Sequence, residues 1–260
     1  MSQTAVQDQV EGPGELLRDW RRRRNVSQLD LAHRAGVSAR HVSFIETGRS
    51  RPTSAMILRL CDQLAVPLRE QNRLLLAGGH APVHPEHQLV DPPMAQANAA
   101  IEAILAAHMP YPALVIDLGW DLVAANDAIW TLVDGLPERL LEPPINVIRL
   151  SLDPEGLAPR IVNLEQWREL LIARLRHEYD LGRDPRVAHL IEEFAVSPAP
   201  EVGVAPTELV VPLRMRVGDA ELSLLSTTTV FGTPREVTLS ELAIEAFYPG
   251  DEATRAALTG

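Results

Sequence analysis

The sequence predicts two domains of different class: an all-α head, then an α+β rear domain with a five-stranded antiparallel sheet. Three observations lead there. The chain has 260 residues, enough for two domains. Its charge is divided: residues 1–80 hold 12 Arg against 8 acidic residues, whereas residues 81–260 hold 12 Arg against 27. The apolar pattern is helical in front and turns to alternation near the end, where Leu209, Val211, Leu213, Met215 and Val217 are interleaved with Val210, Pro212, Arg214 and Arg216. The expected boundaries are a tail over 1–13, the head over 14–79, a linker over 80–93 and the rear domain over 94–260.

Composition narrows the class. With 46% hydrophobic and 23% charged residues, a packed globular chain is expected and not disorder. No run approaches the ~20 apolar residues of a membrane span. The opening MSQTAVQDQVEGPGE has neither a basic n-region nor an apolar h-region, so a cytoplasmic protein without membrane contact is expected. Cys61 is the single cysteine, which excludes an internal disulfide and a cysteine-cluster metal site. It shares a helix with Ile57 and Leu64, a structural position. Lysine is absent and arginine supplies all 24 cations. A basic front attracts phosphates, and an acidic rear opposes nonspecific spreading on a polyanion.

The elements of the head follow in order. Ser27, with Asp30 three residues on, caps a short helix that Gly36 ends. Ser38 caps the next, flanked by the staple residues Val37 and Val42 and closed by Gly48. Two short helices around a tight Gly turn form a helix-turn-helix. On a helical wheel Val42 and Ile45 face the core. Arg40, Ser43, Phe44 and Thr47 lie opposite, with Ala39 and His41 on the flanks; Ser38 falls on the core side of the wheel and, at the helix start, is counted with the DNA-contact candidates. The face opposite the core suits a major groove: Arg40 for a bidentate contact to guanine, Phe44 for a thymine methyl, Ser43 and Thr47 for bases or phosphate. Gln28 begins the preceding helix, placed for a phosphate or base edge, and Arg49 and Arg51 flank the exit as phosphate contacts.

The stretch SQLDLAHRAGVSARHVSFIETGRSRP resembles the core of the XRE family, the Cro and phage-repressor-like helix-turn-helix proteins. The matching residues are Ser27, Gln28, Leu31, Ala32, Gly36, Val37, Ser38, Val42, Ile45, Glu46, Gly48 and Pro52. The resemblance implies a lambda-repressor-like fold of five helices: Glu15–Arg24 first, with Leu17 and Trp20 inward, Thr53–Leu64 after the recognition helix, and Pro67–Ala77 last, with Pro at its first position. It also implies double-stranded operator DNA as partner, a homodimer on two half-sites, and an Arg21–Glu46 ion pair that holds the fold.

GGHAPVHPEHQLVDPP, residues 78–93, is the expected solvated linker. His80, His84 and His87 sit at spacings that suit no regular face, so no metal is expected. In the rear domain Met94–His108 is helical, and ALVID and DLVAA are strands around a Leu118-Gly119 turn. Asn126 caps a helix carrying Trp130 and Val133. Asn163 with Gln166 caps LEQWRELLIARLRHEYD, on which the neighbours His177 and Glu178 lie on a solvated face. Asp184-Pro185 opens a further helix. AELSLLSTTTVF and SELAIEAFYP follow as strands, with the Ser226–Thr229 run in the first of them, and DEATRAAL closes the chain. Two strands, several helices and three antiparallel strands is the order of a PAS-like domain.

HMPYPALVIDLGWDLVAAN, NVIRLSLDPEGLAPRIVNLEQWRELLIARLR, VPLRMR and ELSLLSTTTVFGTPREVTLSELAIEAFYPGDEAT resemble the MmyB-like regulator ligand-binding domain. The resemblance implies a PAS-like pocket that holds a small, apolar or fatty-acid-like effector, with no obligatory cofactor. An apolar site needs a dry wall and a few polar anchors. Trp120, Trp130, Leu132, Ile148, Trp167, Leu171 and Phe194 are wall candidates; Asn126, Arg149, Asn163 and Arg174 are anchor candidates. No G-x-S-x-G, HExxH, phosphate loop or dinucleotide fingerprint is present, so no enzymatic activity is expected. Two other roles for the rear domain stay open on the sequence: a dimerisation or protein-interaction module with a filled core, and a haem or flavin sensor.

Overall fold

The computed structural model describes residues 12–195 and 210–260. The expected tail, up to residue 11, and Leu209 of the expected late strand lie outside the described residues. The chain divides into two compact units. One reaches Glu86 and takes in Arg235–Val237; the other holds His87–Pro234 and Thr238–Gly260.

The first unit is built of α1 (Pro13–Arg23), α2 (Gln28–Ala35), α3 (Ala39–Glu46), α4 (Ser54–Gln63) and α5 (Leu68–Ala77). Helix α1 begins earlier than the sequence suggests, because Pro13 fills the first turn and Glu15 accepts from the Gly12 N–H at 3.2 Å. Ser27 Oγ accepts from Asp30 N at 3.0 Å, and Ser38 Oγ accepts from His41 N at 3.2 Å. Between them Gly36 takes φ 62°, the left-handed turn that lets α3 cross α2. Pro67 stands just before α5 and not inside it. The five helices bury one core, with Trp20, Leu31, Ile45, Leu60 and Leu75 at its centre. Leu29, at the start of α2, faces solvent.

The expected solvated linker is tied down at its start. His80 Nε2 lies 3.0 Å from Pro52 O and His84 Nε2 lies 2.9 Å from Gln71 Oε1. Asn72 Oδ1 accepts from the backbone N–H of Val83 and of His84, each at 3.1 Å.

The second unit runs α6 (Ala95–Ala107), β1 (Ala113–Ile116), β2 (Leu122–Ala125), α7 (Asp127–Val133), α8 (Val147–Leu152), α9 (Leu164–Gly182), α10 (Pro185–Phe194), β3 (Leu213–Val217), β4 (Ala220–Val230), α11 (Val237–Ser240), β5 (Ala243–Pro249) and α12 (Glu252–Thr259). The five strands form one antiparallel sheet in the order β2-β1-β5-β4-β3. Strand β1 reads ALVI without alternation because both its faces are covered. Leu114 and Ile116 join the large core with residues of α7, α8, α9 and α10. Ala113 and Val115 join a smaller cluster with Ile101 and Leu105 of α6. Strand β3 is shorter than expected, since Val210, Val211 and Pro212 lie before it, but within it the alternation holds, with Leu213 and Met215 inward and Arg214 and Arg216 outward. The β1–β2 turn is organised by Asp117, whose Oδ1 accepts from Gly119 N at 2.8 Å and Asp121 N at 3.0 Å. Trp120 in this turn has φ 63°, a conformation that is uncommon for a bulky side chain.

No helix among the described residues is long and apolar enough to cross a membrane.

Candidate nucleic-acid interface and ligand cavity

Helix α3 presents two unlike faces. Val42 and Ile45 are buried in the first unit's core. On the other side Arg40 and Thr47 are exposed, with Ser43, Phe44 and His41 half-buried. The Arg40 guanidinium lies over the Phe44 ring at 5.0 Å, and that of Arg49 lies over the same ring at 5.9 Å. Phe44 therefore gathers two cations onto one apolar platform, which holds their long side chains on the outer side of α3. Arg49 comes round because Gly48 takes φ 71° and Ser50 N donates to Phe44 O at 3.0 Å. Thr47 donates its hydroxyl to Ser43 O at 2.8 Å, which leaves its oxygen as an acceptor. Ser38 and Ala39 stand at the N-terminal end of α3, and Arg51 is exposed beyond it.

Glu46 faces the other way, with its side chain 1% exposed. Arg21 meets it with two bonds, Nε to Oε1 at 2.6 Å and Nη2 to Oε2 at 2.9 Å. Gln28 Nε2 adds a third, to Oε2 at 2.7 Å. Arg21 Nη1 donates to Val26 O at 2.9 Å. The bonds to Glu46 outweigh burial and raise the Arg21 pKa above its ordinary value. The ion pair expected from the resemblance is therefore present, and Gln28 belongs to it: one of its two amide hydrogens goes to Glu46, and the other hydrogen and the amide oxygen take no part in that bond. No local pattern signals this bond, because Gln28 and Glu46 are 18 residues apart.

A cavity of about 110 Å³ lies inside the second unit, between the sheet and α7, α8 and α9. Its wall is apolar, with Trp120, Leu132, Ile148, Trp167, Leu171 and Met215 among the lining residues. Leu170, also lining it, is partly exposed. A dry cavity of roughly 150 Å³ takes up an aromatic ring in a known case, so this space suits a slender apolar group.

One end of the cavity is polar. Arg174 and Glu245 both line it, and Arg174 Nη2 donates to Glu245 Oε1 at 2.5 Å. Arg174 Nε donates to Glu178 Oε1 at 2.9 Å, and Trp120 Nε1 donates to Glu178 Oε2 at 2.7 Å. The Arg174 guanidinium also lies over the Trp120 ring at 4.4 Å. Thr228 Oγ1 donates to Glu245 Oε1 at 2.9 Å. Burial opposes the Arg174 charge, but Glu245 and Glu178 together hold its pKa above the ordinary value. Trp167 is fixed separately, its Nε1 donating to Ser151 Oγ at 3.0 Å.

The structure brings together some of the predicted ligand residues and disperses others. Trp120, Trp167 and Arg174 line the cavity, as do Leu132, Ile148 and Leu171. Trp130 does not: it points outward and is 45% exposed, because Ile129, Leu132 and Val133 take the inner face of α7. Phe194 packs on the large core without lining the cavity. Arg149 leaves the interior to pair with Glu193 at 2.9 Å. Asn126 neither caps α7 with its side chain nor faces the cavity. Its Oδ1 accepts from Ala113 N at 3.1 Å and its Nδ2 donates to Tyr111 O at 2.8 Å, so it ties the α6–β1 connection to the end of β2. Asn163 is also not a side-chain cap. It bridges to β3, accepting from Arg214 N at 3.0 Å and donating to Pro212 O at 2.8 Å. Glu178, expected on a solvated face, is the joint between Trp120 and Arg174. No group of His, Cys, Asp and Glu among the described residues is arranged to hold a metal ion.

Comparison with known families agrees with this geometry. The model of the MmyB-like transcription regulator ligand binding domain matches residues 97–259, and a helix-turn-helix model of the XRE type matches residues 17–71. No curated protein matches the chain.

Proposed function

Since the chain belongs to the MmyB-like transcription regulators, with a DNA-binding helix-turn-helix in front of a ligand-binding domain, we propose that it reads a pseudo-palindromic operator and responds to a small apolar or fatty-acid-like molecule. Arg40, Phe44 and Ser43 read bases from α3, with Ala39, His41 and Thr47 beside them. Gln28, Ser38, Arg49 and Arg51 position the helix on phosphates and base edges. A homodimer in the cytoplasm, two copies spanning half-sites about one helical turn apart, completes the proposal. The ligand acts by binding the DNA-competent and DNA-incompetent states with different affinity.

The observation that supports the sensing part most directly is the apolar cavity in the second unit. A filled core would have favoured a pure interaction module. Native mass spectrometry of the purified chain, with solvent extraction of what it carries, tests the proposal. The expected result is an aliphatic adduct, or a thermal shift on adding short aliphatic probes. A bare mass with no shift from any such probe would overturn it.

A further inference from the structure

The polar end of the cavity has the wrong charge for an acid. Arg174 is the cation that lines it, and two carboxylates already claim that guanidinium: Glu245 at 2.5 Å and Glu178 at 2.9 Å. The cluster therefore carries one more negative than positive charge. Glu245 is the member most withdrawn from water, its side chain 6% exposed. Both its recorded bonds, from Arg174 Nη2 and Thr228 Oγ1, go to Oε1. Its Oε2 has no hydrogen-bond partner among the described residues, although the residue lines the cavity. Ser226 also lines the cavity, two residues before Thr228 on β4 and opposite Phe247 of β5. Its hydroxyl oxygen is a second acceptor at the same end.

Oε2 is therefore the free acceptor of a carboxylate that is otherwise largely withdrawn from water, and a donor group entering the cavity can bond to it. A ligand carboxylate placed there would add a like charge beside Glu245, in a region where charges are poorly screened. An ammonium or hydroxyl head would instead donate to Glu245 Oε2, and an ammonium would also balance the net negative charge. Resting on the sensing role proposed above, we infer that the effector is an aliphatic amine or alcohol, with its donor head at Glu245 and Ser226 and its chain along Trp120, Trp167 and Leu171.

Three probes of equal chain length separate this from the alternatives: octylamine, octan-1-ol and octanoate, each below micelle formation, titrated onto the full chain at pH 7 by calorimetry. The amine stays protonated there, because aliphatic amines titrate near ~10. The expected order is amine, then alcohol, then octanoate, with at least a tenfold gap between the first and last. Glu245→Gln removes the charge and keeps an acceptor, so the amine should weaken about tenfold and octanoate should tighten. Ser226→Ala, on a partly exposed strand position, should weaken the alcohol most. Octanoate binding tightest to the unaltered chain overturns the head-group assignment and leaves the apolar sensing role standing. No binding by any of the three overturns both.

Discussion

Arg21 of α1 and Glu46 of α3 meet in a two-bond ion pair, Nε–Oε1 2.6 Å and Nη2–Oε2 2.9 Å, that closes the first unit around the turn between α2 and α3. Glu46 has almost no water to fall back on. Removing the cation therefore strands a buried charge, a loss of about 3–5 kcal/mol. Arg21→Met should show that loss in urea unfolding of the full chain. Gln28→Ala removes a single bond to a charged acceptor and should lose about 1.5–3 kcal/mol. Equal losses for the two variants would contradict the geometry.

Arg40 and Arg49 share the Phe44 ring but are assigned different duties. Arg40→Ala should lose about 1–3 kcal/mol on the preferred operator and relax preference at one base position. Arg49→Ala should weaken operator and random DNA alike and reduce the salt slope by about 1. Phe44→Ala frees both side chains and should combine the two effects. Binding measured across a salt series on both DNAs separates them. An Arg40→Ala loss of equal size on operator and random DNA would remove Arg40 from base reading.

Gly14 marks where α1 touches α3. A methyl group there would stand 2.1 Å from Ile45 O and 3.1 Å from Glu46 Cα. Alanine is the better helix former by about 1 kcal/mol, but the backbones would have to separate, at a cost of about 1–3 kcal/mol from overpacking alone. Gly14→Ala should therefore lower thermal stability despite the gain in propensity, and weaken DNA binding through the displaced α3. A stabilised variant would mean that the two helices separate readily.

The parts legible in sequence were those that local chemistry decides. Ser27, Gly36 and Ser38 placed the turn and both its helices because caps and left-handed glycines act within a few residues. The alternation of Leu213, Met215 and Val217 placed β3 for the same reason. The cavity's polar end was not legible, because its bonds join Trp120 to Glu178 and Arg174 to Glu245 across 58 and 71 residues. Asn126 and Asn163 sat where helices begin, and that local signal masked what their amides do: each bonds to the backbone of another strand or connection. Trp130 misled by residue type. A tryptophan on an amphipathic helix suggests an inner wall, and only the neighbours on α7 show that the inner face was already taken.

Cys61 offers a stability test with its own reporter. It is fully buried in α4, and burial pushes its thiol from the ordinary 9.0 up to about 12. The first unit has no lysine or tyrosine within residues 12–86, so this thiol is the side chain there whose proton release spans that range. The folded form keeps the proton longer than the unfolded form. The thiol's contribution is thus fully present below pH 9.0 and is lost as pH rises towards 12. Stability of the first unit should fall by up to about 1.4 kcal/mol per pH unit across this window. Iodoacetamide reads it directly, because Cys61 reacts when the unit opens and stays inert in the folded core. At pH 8 the native chain should resist alkylation and react fully in urea. The urea midpoint of alkylation should then drift downward above pH 9, while Cys61→Ala, followed by hydrogen exchange, should show a flat profile over the same range. A native chain that alkylates readily at pH 8 would place the thiol outside the core and overturn the assignment.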